Sequence, residues 1–317
     1  MDDKLPAVDI VVCAYKNREL TDRCLTSLFN LNYPHYKVFL VDDCSADGSV
    51  GFFKNKYPDL SVIENEKCLG PARARNIGIA AGGADYLVTL DNDAFLSPDW
   101  LGQMVELMES DRSIGQAVGK ILFADNKNKI AAAGGSAYFR GKGYDIGFGA
   151  DVSENKYNRQ REVLYACSAS MIVRRNILDL VGGFDDIYYH GYEDTDLSFK
   201  INLAGYKVTY YPFAISYHGL SKTVDQTINT KRSYYSIRNR LLLIFKNCRI
   251  KSLIKCLSAN IKFTICDCRR HPERIIAVLK SWSWIALHFF LILKKRGEVN
   301  KFRKVNDKKI HLLFNLN

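Results

Sequence analysis

The sequence predicts an α/β protein: a mostly parallel sheet flanked by helices, followed by a basic α-helical C-terminal region. Three observations carry this. Short apolar runs alternate with stretches of helical period through the first third of the chain. Carboxylates collect where the apolar runs end, most clearly at Leu90-Asp91-Asn92-Asp93. Charge is divided along the chain. Residues 221–317 hold 22 Lys+Arg against 5 Asp+Glu, a balance of +17, while residues 1–220 balance at −6 and the whole chain at +11.

The elements follow in order. Val8 to Tyr15 is a strand-like run that meets Lys16-Asn17-Arg18. Leu20, Cys24, Leu25, Leu28 and Phe29 then recur at helical spacing. Tyr36 to Val41 reads as a second strand and ends in Asp42-Asp43. Gly70-Pro71 breaks the chain before a helical run that carries Arg73, Arg75 and Asn76 in its first turns. Leu87 to Leu90 reads as a third buried strand that runs into Asp91 and Asp93. Strand-helix-strand order builds a parallel sheet, and ligands of such sheets bind at the C-terminal strand edge. Two readings of Asp91 and Asp93 stand at this point: turn residues, or hard ligands for a divalent cation that shares phosphate oxygens.

Further along, Gly134-Gly135 to Gly149 mixes glycines with aromatics, which suits a sugar-stacking loop and an ordinary hairpin equally. Tyr192-Glu193-Asp194-Thr195-Asp196 precedes an apolar helical run that Gly205 can end. Acids at a helix start are partly explained by the helix dipole. Tyr210 to Tyr217 is strand-like and leads to His218.

A hydrophobic share of 47% supports a real core. Nine cysteines without framework spacing point to free thiols and a reducing compartment. Cys266-x-Cys268 near His271 lacks zinc-site spacing. The start, Met1-Asp2-Asp3-Lys4, is acidic and has no apolar core, so no signal peptide is expected.

Together the motifs resemble glycosyltransferase family 2, the inverting transferases of the GT-A fold. The matching pieces are residues 11–17 (VVCAYKN), 41–49 (VDDCSADGS), 70–78 (GPARARNIG), 90–93 (LDND), 182–186 (GGFDD), 192–200 (YEDTDLSFK) and His218. Singly they are weak; in this order they are specific, and they cover about residues 6 to 220. The branch containing rhamnosyltransferases of surface polysaccharides is the most similar. The resemblance implies a GT-A catalytic domain over 1–220.

It also implies roles. Asp43 would accept the N3–H of uracil or thymine, which favours a UDP- or dTDP-sugar donor. Asp42 would reach the ribose or cap the next turn, and Ala14 and Tyr15 would line the base pocket. Arg75 and Asn76 would sit near the nucleotide, with an arginine on the base or diphosphate. Asp93 would ligate Mn²⁺ or Mg²⁺, Asp91 would help through ribose or water, and His218 would be a further ligand. Asp194 would be the base that deprotonates the acceptor, with Glu193 raising its pKa or orienting the acceptor. Asp196 reads as a helix-start or structural acid.

Residues 221–317 read as a basic amphipathic tail. Leu241 to Phe245 and Trp282 to Leu293 are apolar, and Lys294-Lys295-Arg296 follows the second run. That run is short of the ~20 residues a span needs. It suits a helix lying on an anionic membrane, or one packed on the catalytic domain. Tyr234-Tyr235 and Arg238-Asn239-Arg240 would be placed to touch a lipid diphosphate. The expected location is the cytoplasmic face of the cell membrane, and the expected acceptor a lipid-linked glycan or polysaccharide. No nucleic-acid motif is present. The rival classes are a nucleotidyltransferase and a non-catalytic membrane or nucleic-acid module with a degenerate nucleotide site.

Overall fold

The structure, a computed structural model, describes residues 5–219 and 230–315. The expected boundary at 220/221 and the acidic residues 1–4 lie outside the described residues. The chain begins with β1 (Val8–Ala14), α1 (Arg18–Leu28), β2 (Tyr36–Asp42), α2 (Ser49–Lys56), β3 (Ser61–Glu64), α3 (Pro71–Ala81) and β4 (Tyr86–Asp91). These strands pair in parallel in the order β3-β2-β1-β4.

Alternation along each strand divides its side chains between two cores. Val11, Phe39, Val41 and Leu87 join one hydrophobic cluster; Val8, Ile10, Val12, Leu40, Val88 and Leu90 join the other. The sheet is therefore covered on both faces, as continuous apolar strands require. The register matters for function. Cys13 pairs with Asp91 and Ala14 with Asp42, so the polar ends of β1, β2 and β4 form one row.

The sheet then becomes mixed. β5 (Ala94–Leu96), α4 (Trp100–Ser110), β6 (Ile114–Phe123) and β7 (Ile130–Ala132) follow. The Gly- and aromatic-rich segment resolves as a hairpin, β8 (Gly135–Ala137) with β9 (Gly143–Asp145). Next come β10 (Arg161–Glu162), β11 (Ser170–Arg174), α5 (Arg175–Val181), α6 (Glu193–Leu203) and β12 (Lys207–His218). β11 lies antiparallel between β4 and β6, and β12 runs parallel to β6. The end of β12 turns back on β5, where His218 pairs with Ala94.

The C-terminal region is helical: α7 (Thr230–Asn247), α8 (Ile250–Arg270), α9 (Ile275–Leu287), α10 (Phe289–Phe302) and α11 (Asp307–His311). It is not a detached tail. α7 buries Leu241 and Leu242 completely and inserts Lys246 between Asp185 and Asp196, at 2.7 Å from each. α11 and the residues after it pack on α6 and the β8–β9 hairpin through Ile310 and Phe314. The residues expected to form an appended module thus complete the core around α6.

Candidate active site

Three loops converge at the C-terminal edge of β1, β2 and β4. They surround a cleft of about 720 Å³ lined by Tyr15, Asp43, Cys68, Gly70, Asp91, Asp93, Phe148, Tyr189, His190 and His218, among others.

Asp43 anchors one wall. Its Oδ1 accepts from Asn65 Nδ2 (3.0 Å) and the Leu69 N–H (2.8 Å), and its Oδ2 from the Gly70 N–H (2.8 Å). A carboxylate has about four acceptor sites, so one remains for a ligand. Asp42 caps the turn, accepting from the Ser45 N–H at 2.9 Å. Ala14 is buried and takes the Asp43 N–H on its carbonyl, whereas Tyr15 is half exposed at the cleft mouth. Gly70 has φ +83° and lies under Tyr189; a Cβ there would sit 2.7 Å from the Tyr189 carbonyl oxygen. Only glycine fits that close approach.

Asp91 ends β4 and Asp93 precedes β5, so the pairing of β5 with β12 delivers His218 to them. His218 Nε2 lies 3.0 Å from Asp93 Oδ1 and 3.9 Å from Asp91 Oδ2. One donor atom from each of the three residues lies within 4.8 Å of the others. Two carboxylates and an imidazole so gathered form a donor set suited to a divalent cation. Burial lowers the His218 pKa, but the hydrogen bond and charge of Asp93, with Asp91 and Asp145, outweigh it and raise the net value.

Beyond Arg75, which links it to Asp91, stands the start of α6. The entry to this helix is strained: Tyr189 and Tyr192 both adopt positive φ. Asp194 accepts from the Thr195 N–H (2.6 Å) and the Ser168 N–H (3.3 Å). Burial, then the negative charge of Glu193, push its pKa up to about 7, against the opposing pull of Arg75. Glu193 is buried. One of its oxygens accepts from Arg75, and the other, Oε2, has no partner among the described residues.

Two expectations need correction. Arg75 does not reach into the cleft. It is 3% exposed and donates to Asp91 at 2.7 Å and to Glu193 at 3.0 Å. A guanidinium this buried needs counter-charges, and these two carboxylates supply them. It therefore links the Asp91 strand end to the α6 start instead of presenting donors to a diphosphate. Asn76 lines a different cavity and clasps Phe184, donating to its carbonyl (2.7 Å) and accepting from its N–H (3.1 Å). Its amide ties α3 to the Gly182-Gly183-Phe184 loop. Asp196 is structural: it is fully buried and bonded to Tyr188, Lys246 and Asn247.

The structure adds Asp145, which the sequence reading passed over. It ends β9, accepts from the Tyr165 hydroxyl at 3.0 Å, and lies within electrostatic reach of His218. Tyr165 also senses Asp194. Asp145 thus stands between the Asp93–His218 end of the site and the Asp194 end. Alternation within a glycine-flanked strand was the available signal, but it does not say which face meets the cleft.

The fold and site together define a glycosyltransferase domain of the GT-A type. The chain belongs to glycosyl transferase family 2, whose profile matches residues 9–181. It is similar to a pre-mycofactocin glycosyltransferase of Mycobacterium tuberculosis, with 28% identity over 233 residues, 72% of this chain and 46% of that protein. The chain thus spans about half the length of that relative. Glycosyltransferase AglE of Haloferax volcanii is 26% identical over 223 residues, 69% of this chain and 68% of that protein. Among solved structures, a mannosyltransferase of Pyrobaculum calidifontis in complex with GDP-Man and Mn²⁺ superposes at TM-score 0.58 with 16% identity, covering 95% of this chain and 86% of its own. GalNAc-T7 with UDP, GalNAc and Mn²⁺ superposes at 0.61 with 17% identity, covering 77% and 48%. These structural likenesses speak for the fold.

Proposed function

We propose that this chain is an inverting, metal-dependent glycosyltransferase that moves a sugar from a UDP- or dTDP-sugar to a lipid-linked glycan or polysaccharide. One observation carries the reading: the Asp91-Asp93-His218 cluster lines the sheet-edge cleft, and Arg75 ties Asp91 to Glu193 at the start of α6, beside Asp194, a carboxylate with a pKa near neutrality. Asp43, with its remaining acceptor position, receives the base N3–H, while Tyr15 flanks the base. Asp91, Asp93 and His218 hold Mn²⁺ or Mg²⁺, which when bound offsets charge on the departing diphosphate. Asp194 takes the acceptor proton as its oxygen attacks the anomeric carbon. A pKa near working pH suits that task. The Glu193 oxygen that Arg75 does not take orients the acceptor. Direct displacement by a single base inverts the anomeric centre.

The C-terminal helices support a peripheral site on an anionic membrane at the cytoplasmic face. α8 exposes Ile250, Ile254, Ile261 and Ile265, and the elbow of α9 and α10 exposes Leu287 and Phe290. Lysines and arginines flank these residues. Among the described residues no single helix is long and apolar enough to cross a membrane; α9 with its preceding turn and α10 form a pair bent by 69°.

Calorimetry with UDP, dTDP and GDP, each with Mn²⁺ and with EDTA, tests the donor reading. Metal-dependent binding of UDP or dTDP is expected. Binding that ignores the metal, or no binding, would remove the Asp91-Asp93-His218 role.

A further inference from the structure

Arg238, Asn239 and Arg240 are consecutive on α7 but have different fates. Arg238 donates to the carbonyls of Ile187 (3.0 Å) and Tyr188 (3.1 Å). Asn239 donates to those of Tyr188, His190 and Gly191. Both are committed to the loop that brings Tyr189 and His190 into the cleft.

Arg240 is 4% exposed, yet its guanidinium has no hydrogen bond or ion pair among the described residues, and its Nε is buried without a partner. It packs on the Phe263 ring of α8 at 5.4 Å. On the same ring, at 4.4 Å, lies Arg140 from the β8–β9 hairpin, which also covers Tyr138 at 4.0 Å. Its side chain is likewise without hydrogen bond or ion pair among the described residues, and its Nε too is buried and unpartnered. Lys142, exposed on the hairpin, completes the group; partial desolvation, then Arg140 and Arg240, push its pKa down.

The hairpin is built into this position. Gly141 has φ +79°, and a Cβ on it would lie 2.6 Å from Ile244 and 3.1 Å from Arg240. Asn260 of α8 donates to the Arg140 carbonyl at 2.9 Å. The carboxylate within electrostatic reach on α8, Asp267, is already held by Arg274 through both oxygens at 2.8 and 2.9 Å. Arg240 is buried and Arg140 half-buried, and a guanidinium taken out of water with no counter-charge among the described residues is costly unless an anion completes it. The cluster also adjoins the catalytic end. Tyr192, the residue before α6, senses Arg240, Arg140 and Asp194.

We propose that Arg140, Lys142 and Arg240 form the binding site for a diphosphate on the acceptor. The inference rests on the glycosyltransferase reading with a lipid-linked acceptor and names the acceptor group that the protein grips. The donor's diphosphate belongs at the carboxylate cluster, where a cation must mediate. Arginines with no acid attached serve a second anion directly, with forked donors that match phosphate oxygens.

Calorimetry on the full chain in EDTA, with geranyl diphosphate, inorganic pyrophosphate and geraniol as probes, tests this. Geranyl diphosphate should bind, geraniol should not, and R140Q/K142Q should weaken binding by at least about tenfold. Tighter binding of geranyl diphosphate than of pyrophosphate identifies a lipid-linked source; equal binding identifies free diphosphate, and either outcome upholds the anion site. No binding of either anion by the parent protein, or equal affinity in a folded R140Q/K142Q, would overturn it. Lys142→Glu, at an exposed position, is the backup variant if the double variant melts early, and the same weakening is expected. Mn²⁺-UDP binding is measured in parallel. Its absence from the parent protein would defeat the donor reading while leaving the geranyl diphosphate result legible.

Discussion

Helix α6 presents carboxylates to two regions that treat them in opposite ways. At its N-terminal end, Asp194 has backbone donors but no bonded cation among the described residues, and its pKa rises to about 7. On the α7 side, two residues later, Asp196 is surrounded by Lys246, Asn247 and the Tyr188 hydroxyl. Nearby Asp185 takes both Lys246 and Lys295 at 2.7 Å, and this holds its carboxyl well below the usual range. Residue type is the same; what differs is whether a cation is supplied. A carboxylate left without one is ready to accept a proton, and a carboxylate given one binds the fold together.

Breaking the N-terminal end should have the largest effect. Asp194→Asn should slow transfer by about 10²–10⁴-fold, the usual contribution of a general base, while calorimetry shows unchanged Mn²⁺-UDP affinity. Transfer at the parent rate would take the base role from Asp194. Breaking the α7 side should act on stability. Lys246→Met leaves Asp196 buried with a lost cation and should cost about 3–5 kcal/mol in urea melts, with donor binding retained wherever the protein is folded. A cost near zero would mean that the network is dispensable.

Titration sharpens the same contrast. Below pH 7 the rate constant kcat/KM should fall tenfold per unit as Asp194 protonates, and it should be flat above. Stability carries the opposite sign. A carboxyl whose folded pKa is raised binds its proton more tightly in the folded state, so its contribution declines as pH rises from about 4 through 7. Asp194→Asn should therefore raise the thermal midpoint at pH 8 and lose that gain near pH 4; a pH-independent midpoint difference would refute the raised pKa. The smallest effect on the fold is expected furthest from α6. Leu287 and Phe290 are 82% and 84% exposed, so changing both to Asp should shift stability by under about 0.5 kcal/mol each. The same change should abolish sedimentation with anionic vesicles. Unaltered sedimentation would mean that the elbow does not meet the membrane.

Much of this was legible in the chain. The strand ends at Asp42-Asp43 and Asp91-Asn92-Asp93 and the α6 start at Glu193-Asp194 can be read from period and turn chemistry, which are local properties, while His218 is singled out by the family resemblance. The central strands β6 and β11 were not singled out. A strand buried on both faces, such as Ser170–Arg174, has no alternation to betray it. Arg75 and Asn76 sit where a helix N-terminus invites anions, yet each is taken by a partner more than a hundred residues away, Glu193 and Phe184 respectively.

The sequence by itself determined the α/β order, the carboxylates at the sheet edge, the division of charge between the two parts of the chain and the family resemblance. The tertiary structure decided which basic groups are neutralised: Arg75, Arg238 and Lys246 are consumed inside the fold, while Arg140 and Arg240 are brought onto one aromatic ring with no counter-charge among the described residues. The reason is physical. Period, turn chemistry and helix capping act between neighbours in the chain, whereas desolvation and Coulomb pairing depend on distances that only the folded packing sets.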